Sequence, residues 1–428
     1  MKTNRKTLKF AIAAAVGLAV TVTAYQASGS QIDKTLEELK VITEVFDYIQ
    51  KSYVTEKSAQ ELVYGAARGM VATLDPFSQF LEPVHHKEMK TETEGQFGGL
   101  GIRIHMQDGW LTVMTPIPDT PAYRAGILPG DKIIRIEKDS TQGIDLQDAV
   151  GKLRGKPGTQ VTITVVHEGV KDPEDVTLVR EVIKIESVRS HMLEDKIGYL
   201  QLIEFTAKTD GDARQALDGM KARGMESCIL DLRNNPGGLL NVAVNVTKTF
   251  LDENKLIVYT EGRNSDRVDY VNEARGPYQR IPIVVLVNAG SASGSEIVAG
   301  ALQDHRRALL LGTTTFGKAS VQSVIPLSGG SGLRLTTAKY YTPSGRSIMR
   351  DPKTGVGGIV PDIVIPVSRE LELKIRRQQE QVYAKDRPPH SAVKPEEQAE
   401  DITLARAVEY LKAERIFNRE REDLRVKP

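Results

Sequence analysis

Between Val182 and Val367 apolar runs alternate with helix-like stretches, and each run ends in a glycine-containing turn. IGYLQLIEF is followed by ARQALDGMKARG, SCILDLRNNPGG by LLNVAVNVTKTFL, and IPIVVLVNAG by SASGSEIVAGALQDH. Strands that alternate with helices in this way predict an α/β layer fold. Such folds place their reactive groups in the turns that leave the strands. The strands expected around LLLGTTTFG, SVIPL and GLRLTTAKYYTP have no clear helical partners.

This layer cannot be the whole molecule, because 428 residues are enough for two or three domains with separate cores. The chain opens with MKTNRKTLK and then FAIAAAVGLAVTVTA, a basic segment before an apolar one of signal-peptide length. Residues 1–28 are therefore expected to be a cleaved signal peptide or an uncleaved membrane anchor, with the rest in the periplasm or on the outer face of the cytoplasmic membrane. Val22-Thr23-Ala24 offers small residues for cleavage. With 57 Lys+Arg against 56 Asp+Glu, the formal net charge is +1, so no global field attracts nucleic acid. Cys228 is the single cysteine, which excludes a disulfide framework and a cysteine-built metal site. Within SCILDL it reads as a small buried hydrophobe.

Residues 29–90 show apolar positions at helical spacing, Leu36, Leu39, Ile42, Val45 and Ile49 among them, and read as a helical lead-in for packing, tethering or self-association. From about Gly95 the period changes. GGLGIRI, WLTVMTPI, DKIIRI and VTITVV read as short strands, with PAYRAGI and LQDAVGKLR as two helices between them. From Arg369 to 428 the tail is charged, with RPPHSAVKPEEQ as a linker. Its last helix carries the stripe Leu404, Val408, Leu411 and Ile416, which reads as a docking or oligomer surface.

The chemistry concentrates at Asn288 to Gln322. Ser291, Ser293 and Ser295 compete at a strand-to-helix junction, where serine also serves as an ordinary helix cap. Gly290 and Gly294 allow a tight turn there, and the following helix directs N–H groups and its positive dipole end at any anion formed. A second junction, Asn234-Asn235-Pro236-Gly237-Gly238, could supply another backbone donor to an oxyanion hole. Lys318 could act as a base only if neutral, which requires desolvation or nearby positive charge. The apolar residues Leu309 to Leu311, Val321, Val324 and Ile325 around it are compatible with a buried setting. His305 lies about three turns along the same helix as Ser293 at ~1.5 Å rise per residue, out of reach as its base. Asp304 and His305 read as helix-end polar residues, with Asp304 able to brace the site from behind.

Gly98-Gly99-Leu100-Gly101-Ile102 before a strand, followed by ILPGDKIIRIEKDS, resembles a PDZ domain over residues 95–168. In such domains a peptide adds a strand to the sheet edge and its carboxylate meets the N–H groups of the glycine loop. The resemblance implies that residues 98–102 and Val150, on the helix LQDAVGKLR, bind peptide. Gly-Ser-Ala-Ser-Gly-Ser-Glu-Ile at 290–297, Phe-Gly-Lys at 316–318, Asp-Leu-Arg-Asn-Asn-Pro-Gly-Gly at 231–238 and Tyr-Tyr-Thr-Pro-Ser-Gly-Arg-Ser at 340–347 together resemble the carboxyl-terminal processing proteases. These are PDZ-containing serine peptidases of family S41 with a Ser-Lys pair.

That resemblance implies a multidomain α+β fold: a helical N-terminal segment, an inserted PDZ domain resembling a small β-barrel, a crotonase/ClpP-like protease core at 182–367, and a helical tail. It places the nucleophile on Ser293, the base on Lys318 and the residue that orients the lysine on Gln322. Gly294, with Gly237 or Gly238, would donate to the oxyanion. Members often carry Ser-Ala-Ser-Ala-Ser, so Gly294 departs from the pattern, and reads as added flexibility with the donor kept. No cofactor or metal is implied. The expected partners are proteins with accessible C-termini, an adaptor protein, a membrane reached through the N-terminus, and further copies of the chain through its terminal helices. The competing reading is an inactive PDZ adaptor that binds C-terminal peptides with its protease-like domain as scaffold.

Overall fold

The computed structural model describes residues 36–426 apart from 118, 129, 168–169, 171, 264, 369, 373, 376–377 and 379–398. The expected leader, residues 1–28, lies outside the described residues. None of the described helices is long and apolar enough to cross a membrane.

The chain divides into two compact units, Met1–Phe80 and Leu81–Pro428. The first holds helix α1 (36–52) and helix α2 (Ala59–Ala72). Ser58 caps α2 reciprocally: Glu61 N–H donates to Ser58 Oγ at 3.2 Å, and Ser58 N–H to Glu61 Oε2 at 3.1 Å. Leu36, Leu39, Val41, Ile42 and Val45 of α1 remain exposed.

The second unit begins with helix α3 (Pro83–Glu94), and a two-stranded ribbon then carries the chain into and out of an antiparallel sheet. The ribbon pairs β1 (Gln96–Gly99) with β7 (Glu181–Lys184), Gly98 opposite Val182. Between them β2 (Ile102–Gln107), β3 (Trp110–Pro116), β4 (Lys132–Ile136), β5 (Gln160–Val166) and β6 (Glu174–Val179) lie in spatial as well as chain order. Helices α4 (Pro121–Arg124) and α5 (Leu146–Leu153) complete this domain. Its core includes Leu111, Val113, Ile133, Ala149, Ile163 and Val165.

The larger core is a mixed sheet. Antiparallel β8 (Val188–Met192) borders β9 (Ile197–Leu202), after which β10 (Ser227–Asp231), β13 (Ile283–Val287), β14 (Leu309–Gly312) and β17 (Ile363–Val364) run parallel. Every residue of β9, β10 and β13 is buried, as expected of parallel strands covered on both faces. One face, with Leu230, Val285 and Val287, packs against α6 (Thr209–Ala222), α7 (Leu240–Lys248) and α8 (Gly294–Asp304). The other face, with Ile229, Val284 and Leu286, packs against α9 (Ile402–Val426) through Ala407 and Leu411. The apolar stripe of the last helix thus covers the chain's own sheet, while Ile416 and Phe417, and to a lesser degree Ile402 and Tyr410, stay exposed. A second, antiparallel sheet includes β11 (Leu256–Gly262), β12 (Ser265–Val271), β15 (Ser320–Pro326) and β16 (Gly332–Tyr341).

Candidate active site

Two turns meet past the C-terminal ends of β10 and β13. The first, 232–238, follows β10, and the second, 288–293, follows β13 and opens α8. Their backbones are tied to each other. Asn234 N–H donates to Asn288 Oδ1 at 2.8 Å, and Ala292 N–H to Asn235 O at 2.9 Å.

The three serines have different surroundings. Ser291 Oγ donates to Leu232 O at 2.8 Å and Ser295 Oγ to Asn235 O at 2.9 Å, and both residues are fully buried. They fasten the second turn onto the first. Ser293 is half-buried, and its side chain lies within hydrogen-bonding reach of the Tyr340 hydroxyl. Its backbone takes φ 53° and ψ −111°, a region rarely occupied by residues with a side chain and held only when the surroundings enforce it. A serine on a sharp turn between strand and helix is the geometry that presents a nucleophile at the end of a sheet.

Lys318 comes to the same place through two buried side chains. Glu296, three residues into α8 and fully buried, accepts at Oε2 from Ser293 N–H and Lys318 N–H, both at 2.9 Å. Its Oε1 accepts from Gly317 N–H at 2.7 Å and the Thr315 hydroxyl at 2.6 Å. Burial pushes its carboxyl up from the ordinary value, while the Thr315 hydroxyl and the N–H groups of Gly317, Lys318 and Ser293 pull it back. On the other side, Tyr340 OH lies against the carbonyls of Ser293, at 3.2 Å, and Lys318. Burial, and then the Glu296 charge, raise the Tyr340 phenol. The serine and the lysine are therefore clamped together through both N–H groups and both carbonyls.

Gly237, at φ +101°, abuts Ser293 so closely that a Cβ there would lie 2.6 Å from Ser293 Cβ and 2.8 Å from Gly294 N. Its own N–H donates to Asn235 Oδ1 at 2.9 Å. The N–H groups of Gly238 and Gly294 find no acceptor among the described residues. Gly294 reflects lack of room: a Cβ would lie 2.9 Å from the Phe205 ring and 3.3 Å from Ala243 Cβ. Gln322 lies on β15 beside a register shift, and its Nε2 is buried without a partner among the described residues. His305 turns away, its Nε2 2.6 Å from Leu256 O. Asp304 accepts the Ser344 N–H at 2.9 Å and pairs with Arg346. Burial opposes the Asp304 charge, but Thr342, Ser344 and Arg346 outweigh it and hold the carboxyl below its ordinary value. It braces the 342–346 turn.

The glycine loop of the smaller domain divides its residues between core and edge. Leu100 is buried, and Gly101 adopts φ +76°, where a Cβ would lie 2.3 Å from the Thr120 side chain. The N–H groups of Leu100 and Gly101 find no acceptor among the described residues. Ile102 begins β2, which is an edge strand, and Val150 is half-buried on α5. Gly98 and Gly99 pair with β7.

Glu296, Tyr340 and Asn288 were not singled out from the sequence. The Ser-x-x-Glu spacing of Ser293 and Glu296 was a readable capping signal. Nothing local marks Tyr340, whose partners come from residues 293 and 318.

Comparison with known proteins gives the family. The model of peptidase family S41 matches residues 196–365, that of a PDZ domain residues 112–166, and that of the activating protease CtpB N-terminal domain residues 8–83. A carboxy-terminal-processing protease of Bartonella bacilliformis is 42% identical over 84% of this chain and 82% of that protein. The carboxy-terminal processing protease CtpA of Bacillus subtilis is 34% identical over 76% of this chain and 68% of that protein. A solved photosystem II D1 C-terminal processing protease, 30% identical, covers 76% of this chain and 92% of its own, with a TM-score of 0.46.

Proposed function

Because this chain belongs to the carboxy-terminal processing proteases of peptidase family S41, a PDZ-containing group of serine-type peptidases, we propose that it cleaves protein substrates by a Ser293–Lys318 mechanism. The observation that carries the reading is the clamping of Ser293 and Lys318, at a strand-to-helix turn, by Glu296 and Tyr340.

Neutral Lys318 takes the Ser293 proton as Oγ attacks the scissile carbonyl. The carbonyl electrons move to an oxyanion that faces the N–H groups of Gly294 and Gly238. The Lys318 ammonium then gives its proton to the leaving amine as the C–N bond breaks. Lys318, neutral again, takes a proton from water as it attacks the acyl-enzyme, and returns that proton to Ser293 Oγ as the ester C–O bond breaks and the new C-terminus leaves. Gln322, with its unpartnered amide donors, orients the lysine or the substrate backbone.

The PDZ domain fits the capture of protein C-termini. In this reading the peptide adds to β2 and its carboxylate meets the free N–H groups of Leu100 and Gly101. Export rests on the basic-then-apolar leader, and self-association on the exposed apolar side of α1.

The test is cleavage of an unstructured protein by the purified chain and by Ser293→Ala and Lys318→Ala. Both variants should lose turnover and keep peptide binding. Retained cleavage in either would refute the pair, and absence of cleavage by the unaltered chain with peptide binding intact would favour the scaffold reading.

A further inference from the structure

Both turns of the candidate site are gripped from outside the protease layer by carboxylates of the C-terminal segment. Arg233, the second residue of the first turn, has a side chain 10% exposed that lies between two carboxylates. Its Nε is 3.0 Å from each Asp231 oxygen. Its Nη1 and Nη2 donate to Asp401 Oδ1 and Oδ2 at 2.9 and 2.8 Å. Burial opposes the Arg233 charge, but Asp231 and Asp401 outweigh it and raise its pKa further. Asp401 is itself fixed, because its Oδ1 accepts Leu404 N–H at 3.0 Å at the start of α9.

The second turn is held in parallel. Asn288 Nδ2 donates to Glu372 and, at 3.0 Å, to Asn234 Oδ1. That sets which way the amide faces, so Asn288 Oδ1 accepts Asn234 N–H at 2.8 Å and Gly290 N–H at 3.0 Å. A cavity of about 40 Å³ opens at this junction, lined by Arg233, Asn234, Asn288, Glu372 and Thr403 among others. The tail holds the turns here through polar contacts beside a gap.

We propose that Asp401 and Glu372 are positioning residues of the protease: through Arg233 and Asn288 they hold the Gly238 turn and the Ser293 turn in the spacing the reaction needs. A buried ion pair is a weak source of net stability, and apolar packing often replaces it without loss. What a bidentate guanidinium–carboxylate pair provides is orientation. Arg233 is five residues from Gly238, and Asn288 five from Ser293. A small tilt at either residue moves a catalytic group relative to its partner.

The inference rests on Ser293 as nucleophile, so its test uses full-length protein with Ser293→Ala as control and two readouts. The first is steady-state cleavage of an unstructured protein by Asp401→Asn, Asp401→Glu and Glu372→Gln. Removal of one oxyanion donor costs about 10²–10³ in kcat. Displacing one should lower kcat about 10- to 100-fold in Asp401→Asn and Glu372→Gln with KM within about twofold, and Asp401→Glu should recover part of the loss. The second readout, hydrogen exchange in 231–240 and 288–295, needs no activity, and both segments should exchange faster in the Asn and Gln variants. Unchanged kcat, a KM effect alone, or unchanged exchange in folded variants would overturn the proposal. If Asp401→Asn fails to fold, Glu372→Gln decides. If Ser293→Ala keeps turnover, the nucleophile assignment fails, and exchange alone still judges the grip.

Discussion

Replacing Gly237 by alanine tests whether the first turn is fitted to Ser293 or merely lies near it. The substitution has two consequences, which the structure allows to be separated. An L-residue at φ +101° is strained by about 1–3 kcal/mol. The new methyl would also lie 2.6 Å from Ser293 Cβ and 2.8 Å from Gly294 N and Ala292 O, where ordinary contact begins near 3.4 Å. The backbone atoms cannot rotate away, so one turn must move by most of an ångström. Overpacking of this kind costs about 1–3 kcal/mol. The two effects together give about 2–6 kcal/mol, or roughly 3–8 °C in Tm for a unit of this size. Misplacement of a reacting group by 1 Å can reduce the rate about 100-fold, and kcat should fall by at least that much. Gly224→Ala is the control, since Gly224 has φ +87° and open space where its Cβ would be. It should cost about 1–2 kcal/mol of backbone strain alone and leave kcat unchanged. The assays are thermal melting and steady-state cleavage of an unstructured protein. If Gly237→Ala kept wild-type kcat, or if Gly224→Ala lost as much activity, the steric argument would be wrong.

Two further outcomes follow from buried titratable groups. Because the Glu296 carboxyl is raised above 4.5, the folded state holds that proton more tightly than the unfolded chain. The stability it contributes is fully present below pH 4.5 and is lost as pH rises through the folded value. Glu296→Gln should therefore match the parent's Tm near pH 4 and equal or exceed it at pH 7, yet lose kcat at least tenfold, because an amide has one acceptor oxygen for four donors. A Gln variant less stable at pH 7 than at pH 4 relative to the parent would contradict the sign. Burial pushes the Cys228 thiol up to about 12, so thiol reagents at pH 8 should label the native protein negligibly and the denatured protein once. Rapid labelling of native protein would show that β10 opens.

How far the sequence could carry this reading depends on where each residue's partners lie. The α/β layer was legible because parallel strands buried on both faces appear as unbroken apolar runs, and SCILD and IVVLV are buried throughout. The choice among three serines was not legible locally. Ser291 and Ser295 are assigned to structure by Leu232 O and Asn235 O, about sixty residues away in sequence; placement in the turn favours Ser293 only weakly, and the family motif makes the choice firm. Gly294 read as flexibility, whereas the Phe205 ring and Ala243 leave no space for a side chain. The stripe on the last helix shows that it packs, but a stripe does not carry the identity of the surface it meets. Ala407 and Leu411 meet the protease sheet, and that docking delivers Asp401 to Arg233. Two of the carboxylates that hold the turns of the candidate site thus come from a tail whose charged, linker-like composition concealed them. The physical reason is general for sites built at strand ends: the reactive residues lie in short, recognisable turns, while the groups that hold those turns arrive from whichever element closes the far face of the sheet.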